Sequence, residues 1–250
     1  MTIIRRVAAV SLLLLPEALG AQALARRVEA AGDGTVRMSF AAREGVCGSG
    51  SGSITIHDGH DDDWVANCDR GPVRVSLTLR QGRVTEAHSY VGGRWRQGSG
   101  RVNDLGSVPA REASAYLLTL APRAGEDGGE LITAATLADS ATVWPSLLRI
   151  AREEGVSLET RRQAVFWLGQ AAGKAAARGL DSIAVDDSGD IEVRKQAVFA
   201  LSQRPEEEGV PVLIHIARSN PHPEIRKSAL FWLGQSEDPR ALALFEELLQ

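Results

Sequence analysis

The sequence predicts an α+β protein in which a small N-terminal antiparallel β domain precedes an α–α superhelical solenoid. Three observations predict it. Apolar residues alternate between positions 35 and 91, their spacing turns helical after Pro109, and one decapeptide is written three times, as RRQAVFWLGQ at 161–170, RKQAVFALSQ at 194–203 and RKSALFWLGQ at 226–235. Alternation buries one face of a strand, whereas a spacing of three to four lines one side of a helix.

Residues 1–23 stand apart. Arg5 and Arg6 precede the apolar run Val7–Leu15, and small-residue cleavage patterns follow at Ala18-Leu19-Gly20 and Ala21-Gln22-Ala23. That order marks a secretory signal peptide. A membrane-spanning helix needs about 20 apolar residues, and this run is much shorter. The expected product is exported, periplasmic or extracellular, with no membrane span after signal removal. No lipid anchor is expected, because the first cysteine, Cys47, lies well beyond the cleavage patterns.

Composition narrows the class. Of 250 residues, 44% are hydrophobic and 24% charged, which is ordinary globular material. The formal net charge is −4, and it becomes −5 when Arg5, Arg6 and Glu17 leave with the signal peptide. No basic surplus exists to neutralise phosphates, so nucleic acid is excluded as a partner. Cys47 and Cys68 are expected to pair, because an oxidising compartment favours a disulfide.

Within the β domain, 30–104, one apolar face is read from Val36, Met38 and Phe40, from Ile54 and Ile56, and from Val73, Val75, Leu77 and Leu79. Gln81-Gly82 supplies a turn, and VTEAHSYV at 84–91 returns as the hairpin partner. About four strands follow from this pattern, with a flexible glycine–serine connection at 48–53. The stretch 92–106, rich in glycine and arginine, reads as a loop, which puts the boundary near 105.

The helical part, 106–250, carries clear units from 147 and degenerate capping helices before them. Aligning the decapeptides gives a column of Arg161, Arg194 and Arg226, with steps of 33 and 32. Ala164, Ala197 and Ala229 form a second column, and Leu168, Leu201 and Leu233 a third. A further apolar stripe recurs as Leu147, Ile150 and Ala151, then Leu180, Ile183 and Ala184, then Leu213, Ile216 and Ala217, then Phe245, Leu248 and Leu249. Each unit is thus a helix pair, too short to bury its stripes alone, and a fixed period implies stacking into a continuous core. Alanine permits close helix approach and leucine fills the space between layers. Pro145, Pro211 and Pro239 are expected at helix starts, where a missing N–H is harmless.

The pattern E-x-R-[RK]-x-A-[VL]-F-x-L, with x-L-x-x-[IL]-A beside it, resembles HEAT repeats, in particular the short HEAT-like type first associated with phycobilin lyases. The resemblance covers roughly 109–250. It implies a solenoid with a scaffolding role, and arginines that brace the turns through acidic neighbours, for which Glu159, Glu192 and Glu224 are available. A lyase-like activity is the alternative it carries. The His-Glu pairs of the di-iron hydroxylases of this fold have no counterpart, since the chain contains no His-Glu dipeptide.

One candidate binding surface follows from helical geometry. Phe166 lies 200° from both Ala164 and Leu168 on a helix turning 100° per residue, so it points away from that stripe. Phe199 and Phe231 repeat the placement. Gln163 and Gln170, Gln196 and Gln203, and then Ser228 and Gln235 run beside them. Two readings fit: an apolar strip with hydrogen-bonding edges for a protein or peptide partner, or packing between successive repeats. Trp167 and Trp232 read as core. No oligomeric state follows from this pattern.

Elsewhere the chemistry is sparse. HDGHDDDW at 57–64 offers His57, His60 and Asp62 as weak metal candidates, but the spacing matches neither HExxH nor a full calcium loop, and no metal is assigned. No GxSxG elbow, Walker A loop or GxGxxG after a strand is present, and GSGSGS at 48–53 lacks the lysine of a phosphate cradle. The expectation is a non-enzymatic scaffold with no cofactor. A metal- or ligand-binding β domain supported by the solenoid is the alternative.

Overall fold

The structure, a computed structural model, describes residues 16–50, 52, 54–56, 68–95, 100–171 and 174–249. The apolar run Val7–Leu15 and the HDGHDDD segment with His57, His60 and Asp62 lie outside the described residues. Helix α1 (Pro16–Ala31) is followed by β1 (Gly34–Phe40), β2 (Val46–Gly48), β3 (Ile54–Ile56), β4 (Val73–Arg80), β5 (Arg83–Val91) and β6 (Val102–Ser107).

Four of these strands form one sheet in the order β5-β4-β1-β6. Val36 stands opposite Leu77, and Leu77 opposite Ala87, so the alternating residues of three strands share one face. Val36, Met38, Phe40, Val73, Val75, Leu77 and Leu79 are all buried there. Gln81 and Gly82 both take positive φ, 52° and 71°, as the two-residue hairpin turn requires.

Two features differ from the pattern read in the sequence. Ile54 and Ile56 leave the main sheet and pair with Val46–Gly48 as a separate ribbon, in which Ile56 is exposed. The fourth strand is Val102–Ser107, from the stretch expected as loop, and it runs parallel to β1 across position 105. Its alternation is invisible because it is an exposed edge with little apolar content. Arg37 on β1 pairs with Asp104 across this seam at 2.8 Å. The sheet is therefore mixed, antiparallel in two pairings and parallel in one.

The helices that follow are α2 (Ala110–Leu120), α3 (Gly128–Thr136), α4 (Trp144–Arg152), α5 (Leu158–Gln170), α6 (Lys174–Ala184), α7 (Ile191–Ser202), α8 (Glu206–Ser219), α9 (Pro223–Leu233) and α10 (Pro239–Leu248). Helices α3, α5, α7 and α9 pack side by side in one layer; α4, α6, α8 and α10 form the second. Ser157, Asp190 and Asp238 cap α5, α7 and α10, each accepting from a backbone N–H of the first turn. Pro145 and Pro239 sit in first turns, as expected. Pro211 does not: α8 begins earlier, at Glu206, and carries the proline inside on its exposed side. There the carbonyl deprived of its partner can turn to water.

The sheet and the superhelix share one continuous core. Leu24 and Val28 of α1, with Ala113, Tyr116 and Leu117 of α2, bury into the same cluster as the sheet's apolar face. Backbone bonds fasten the join: Val108 N–H to Ser39 O at 2.9 Å, Arg43 N–H to Leu137 O at 2.8 Å and Asp139 N–H to Ala41 O at 2.9 Å. Glu130 of α3 accepts from both the N–H and the hydroxyl of Ser89, so it caps part of the β5 edge.

Cys47 and Cys68 form a disulfide that ties β2 to the segment leading into β4, with a sequence separation of 21. Closing a loop of that size stabilises the folded state by about 3 kcal/mol in the chain-entropy model. Replacing both cysteines by serine is expected to lower the melting temperature by roughly 6–12 °C at this chain length. Calorimetry of the variant beside the oxidised parent checks this.

Candidate partner-binding surface

The repeat columns explain how side chains come to be displayed. Ala164, Ala197 and Ala229, and likewise Leu168, Leu201 and Leu233, are fully buried. A Cβ on Gly169 would stand 2.9 Å from the Cβ of Ala200, so α5 and α7 approach too closely there for a large side chain. That contact accounts for alanine at 200, where the flanking repeats carry Trp167 and Trp232.

The arginine column is not uniform. Arg194 is the largest fully buried side chain. It donates to Ala184 O at 3.2 Å, to Asp187 at 2.9 Å and to the side-chain oxygen of Asn220 at 3.3 Å. Arg161 reaches Asp190 at 3.5 Å, and Arg226 donates to the carbonyls of Asn220 and Pro221. The acids expected beside them turn elsewhere: Glu159 lies 3.9 Å from Arg162, and Glu192 and Glu224 both pair with Lys195. Turn residues and the following helix cap, rather than the i−2 glutamates, lie within reach of a side chain directed back along the helix.

Asn220 and Arg204, which the sequence reading passed over, are structural pins. Asn220 also donates to Ala184 O at 3.3 Å. Arg204, at the end of α7, reaches back to the end of α5, donating to Gly169 O at 3.2 Å and Ala171 O at 2.8 Å. Glu208 holds the same guanidinium at 2.6 Å. The sequence signal for Arg204 was a break in the repeat: Ala171, Arg204 and Ser236 occupy equivalent places just beyond the decapeptides.

The phenylalanine strip lies on the α5–α7–α9 layer. Phe166 is 38% and Phe231 58% exposed, while Phe199 is half-buried. Trp232 gathers the C-terminal end into a cluster, its ring 4.9 Å from Phe199 and 5.0 Å from Phe231. Trp167 is core, 8% exposed, with its indole N–H on the Thr133 hydroxyl at 3.2 Å. Gln163 reaches the same hydroxyl at 3.3 Å and so ties α5 to α3. Gln196 is half-buried, whereas Gln170, Gln203 and Gln235 are exposed. Charges on this layer neutralise one another: Lys195 lies 2.7 Å from Glu224, which holds the carboxyl below and the ammonium above its ordinary value. An amide-edged aromatic strip results, bordered by paired charges.

A second concavity, of about 780 Å³, lies on the polar side of the sheet between Thr78, Glu86 and His88 and the acidic turn of Glu126 and Asp127. Its strongest groups are already engaged. Arg37 is held by Asp104, Glu130 by Ser89, and Arg37 and Arg74 both pack on the Trp95 ring at 5.0 and 5.1 Å. Among the described residues, no group of three or more His, Cys, Asp or Glu is arranged to hold a metal ion.

Stacked helix pairs that present a side-chain strip along one layer define a helical-repeat scaffold. Residues 180–250 match the family model for HEAT repeats, so that part of the chain is a HEAT-repeat segment, and such repeats commonly mediate protein interactions. No curated protein and no solved structure matches the chain.

Arg194→Ala strands the groups around a buried guanidinium and is expected to lose about 3 kcal/mol, whereas Arg226→Ala, half-exposed, loses less than about 1 kcal/mol. Urea midpoints of the two variants check the contrast. At the N-cap of α10, the Arg240 side chain beside Asp238 holds its carboxyl at about 2, below the ordinary 3.8. A depressed carboxyl contributes stability above its unfolded value and loses it as pH falls toward the folded value. The stability that this carboxylate lends α10 is thus expected to be lost between about pH 4 and 2. Asp238→Asn keeps the cap but should flatten that acid limb when helicity is followed against pH.

Proposed function

We propose that the protein is an exported, non-enzymatic scaffold that holds a partner polypeptide along the α5–α7–α9 layer, over Phe166, Phe199 and Phe231. The observation that carries this reading is the exposure of Phe231, more than half open beside a half-buried Trp232, where packing alone would enclose both. Aromatic side chains supply contact area at low entropic cost, and flanking amides can serve the donors and acceptors of a peptide backbone. A strip of phenylalanine, tryptophan and glutamine offers no group poised for proton transfer, which favours binding over catalysis.

Export is supported by the basic, apolar and small-residue order of the first 23 residues and by the disulfide. No helix among the described residues is long and apolar enough to cross a membrane. Helix α1 favours one of the two cleavage patterns: a cut after Gly20 keeps Ala21, Leu24, Val28 and Ala31 in the core, while a cut after Ala23 removes Ala21.

A photo-crosslinking residue placed at Phe231 in living cells, with Glu153 as control, tests the scaffold. A discrete protein adduct at 231 and none at 153 is expected, and Phe231→Ala should fold normally while losing the partner. Equal labelling at both positions, or none at 231, would return the strip to a packing role.

A further inference from the structure

A cavity of about 480 Å³ lies where α1, the tip of the β4–β5 hairpin and the end of α2 meet, and it shares no residue with the phenylalanine strip. Small-molecule sites commonly span roughly 300–1,000 Å³ and combine apolar walls with a few polar groups. Val28, Leu79 and Tyr116 are the buried part of its wall, with Val84 and Leu120 half-buried beside them. A bulge shapes the sheet's share: the register shifts between Thr78 and Leu79, so Leu79 stands opposite Val84 rather than the exposed Thr85. Bulges recur beside binding sites because they re-aim a side chain.

The polar groups of the cavity lack partners. Tyr116 is 4% exposed, yet among the described residues its hydroxyl has no hydrogen-bond partner. Burial, and the Glu29 carboxylate acting on it from the exposed rim, raise its proton affinity and keep it a donor. A buried hydroxyl left unpaired costs free energy that a bound acceptor restores. Arg83 and Arg123 stand at the same rim, and among the described residues neither meets a carboxylate within salt-bridge distance. Glu29 is the one acid lining the cavity, so the rim carries a surplus of positive charge. We propose that this cavity binds an aliphatic carboxylate, its chain along Val28, Leu79, Val84 and Leu120 and its head taken by Arg83, Arg123 and the Tyr116 hydroxyl. Guanidinium and carboxylate match in charge and in fork geometry. The aliphatic wall suits a hydrocarbon chain rather than a sugar, whose hydroxyls would go unpaired against it.

The full chain as the cell produces it, with its disulfide formed, is titrated calorimetrically with octanoate, decanoate and dodecanoate, and with decanamide, which keeps the chain and loses the charge. Saturable binding is expected, tightening about fourfold for each methylene added. Decanamide should bind about tenfold more weakly than decanoate. Methyl-resolved NMR should place the decanoate shifts at Val28, Leu79, Val84 and Leu120. Arg83, Arg123 and Glu29 are exposed, so their variants keep the fold. Arg83→Gln together with Arg123→Gln should weaken decanoate about tenfold and leave decanamide unchanged, while Glu29→Gln should tighten decanoate several-fold. Tyr116→Phe, which removes only the hydroxyl, should weaken decanoate several-fold without lowering the melting temperature. Affinity independent of chain length, decanamide as tight as decanoate, shifts confined to other parts of the chain, or an unchanged affinity in the double arginine variant would overturn the site. The crosslink at Phe231 reads different residues, so failure of the strip leaves this site standing, and failure of this site leaves the strip.

Discussion

Close helix approach at the alanine column is the constraint from which the helical half is built. With Ala164, Ala197 and Ala229 fully buried, α5, α7 and α9 pack backbone-near, and Leu168, Leu201 and Leu233 fill the gaps between layers. Once those two columns face inward, the position between them must point outward, because a residue 200° away has no core left to enter. Phe166 and Phe231 are exposed for that geometrical reason. What holds the repeat together and what the repeat displays are thus fixed by one helical register.

The sheet solves a problem that repetition creates. A stack of helix pairs has a first pair with nothing before it, and its apolar face must be covered. Here the sheet's buried side, with α1, supplies that cover: Met38, Phe40 and Leu77 join the same cluster as Leu117 and Leu131. A four-stranded sheet alone would have a bare apolar face. Each half therefore encloses what the other leaves open, and the disulfide secures the margin of the sheet where the ribbon of β2 and β3 departs from it.

Legibility in the sequence followed burial. The columns of the decapeptide and the three alternating strands could be read because each was forced by one buried face, and the Gln81-Gly82 turn because a two-residue hairpin needs positive φ at both positions. Val102–Ser107 could not, since an exposed edge strand paired in parallel needs no alternation. Helix α1 escaped for a different reason: its Leu24 and Val28, buried in the core, follow directly on a stretch read as an export signal, which accounted for the composition without them. At the surface, the outward placement of phenylalanine was readable from angle alone. The partition of the glutamines, with Gln163 tied to Thr133 and Gln235 exposed, depended on α3, whose unit is too degenerate to align.

In a solenoid the repeated positions chiefly report packing, and the departures from repetition carry the information about individual surfaces. Ala200 departs because Gly169 approaches it, a departure explained within the chain. Ser236 departs from Arg204 in the same way: Arg204 serves the carbonyls at the end of α5, whereas the Ser236 hydroxyl accepts from the Asp238 N–H at 3.1 Å and so fixes the turn into α10, a local contact in place of a reach between repeats.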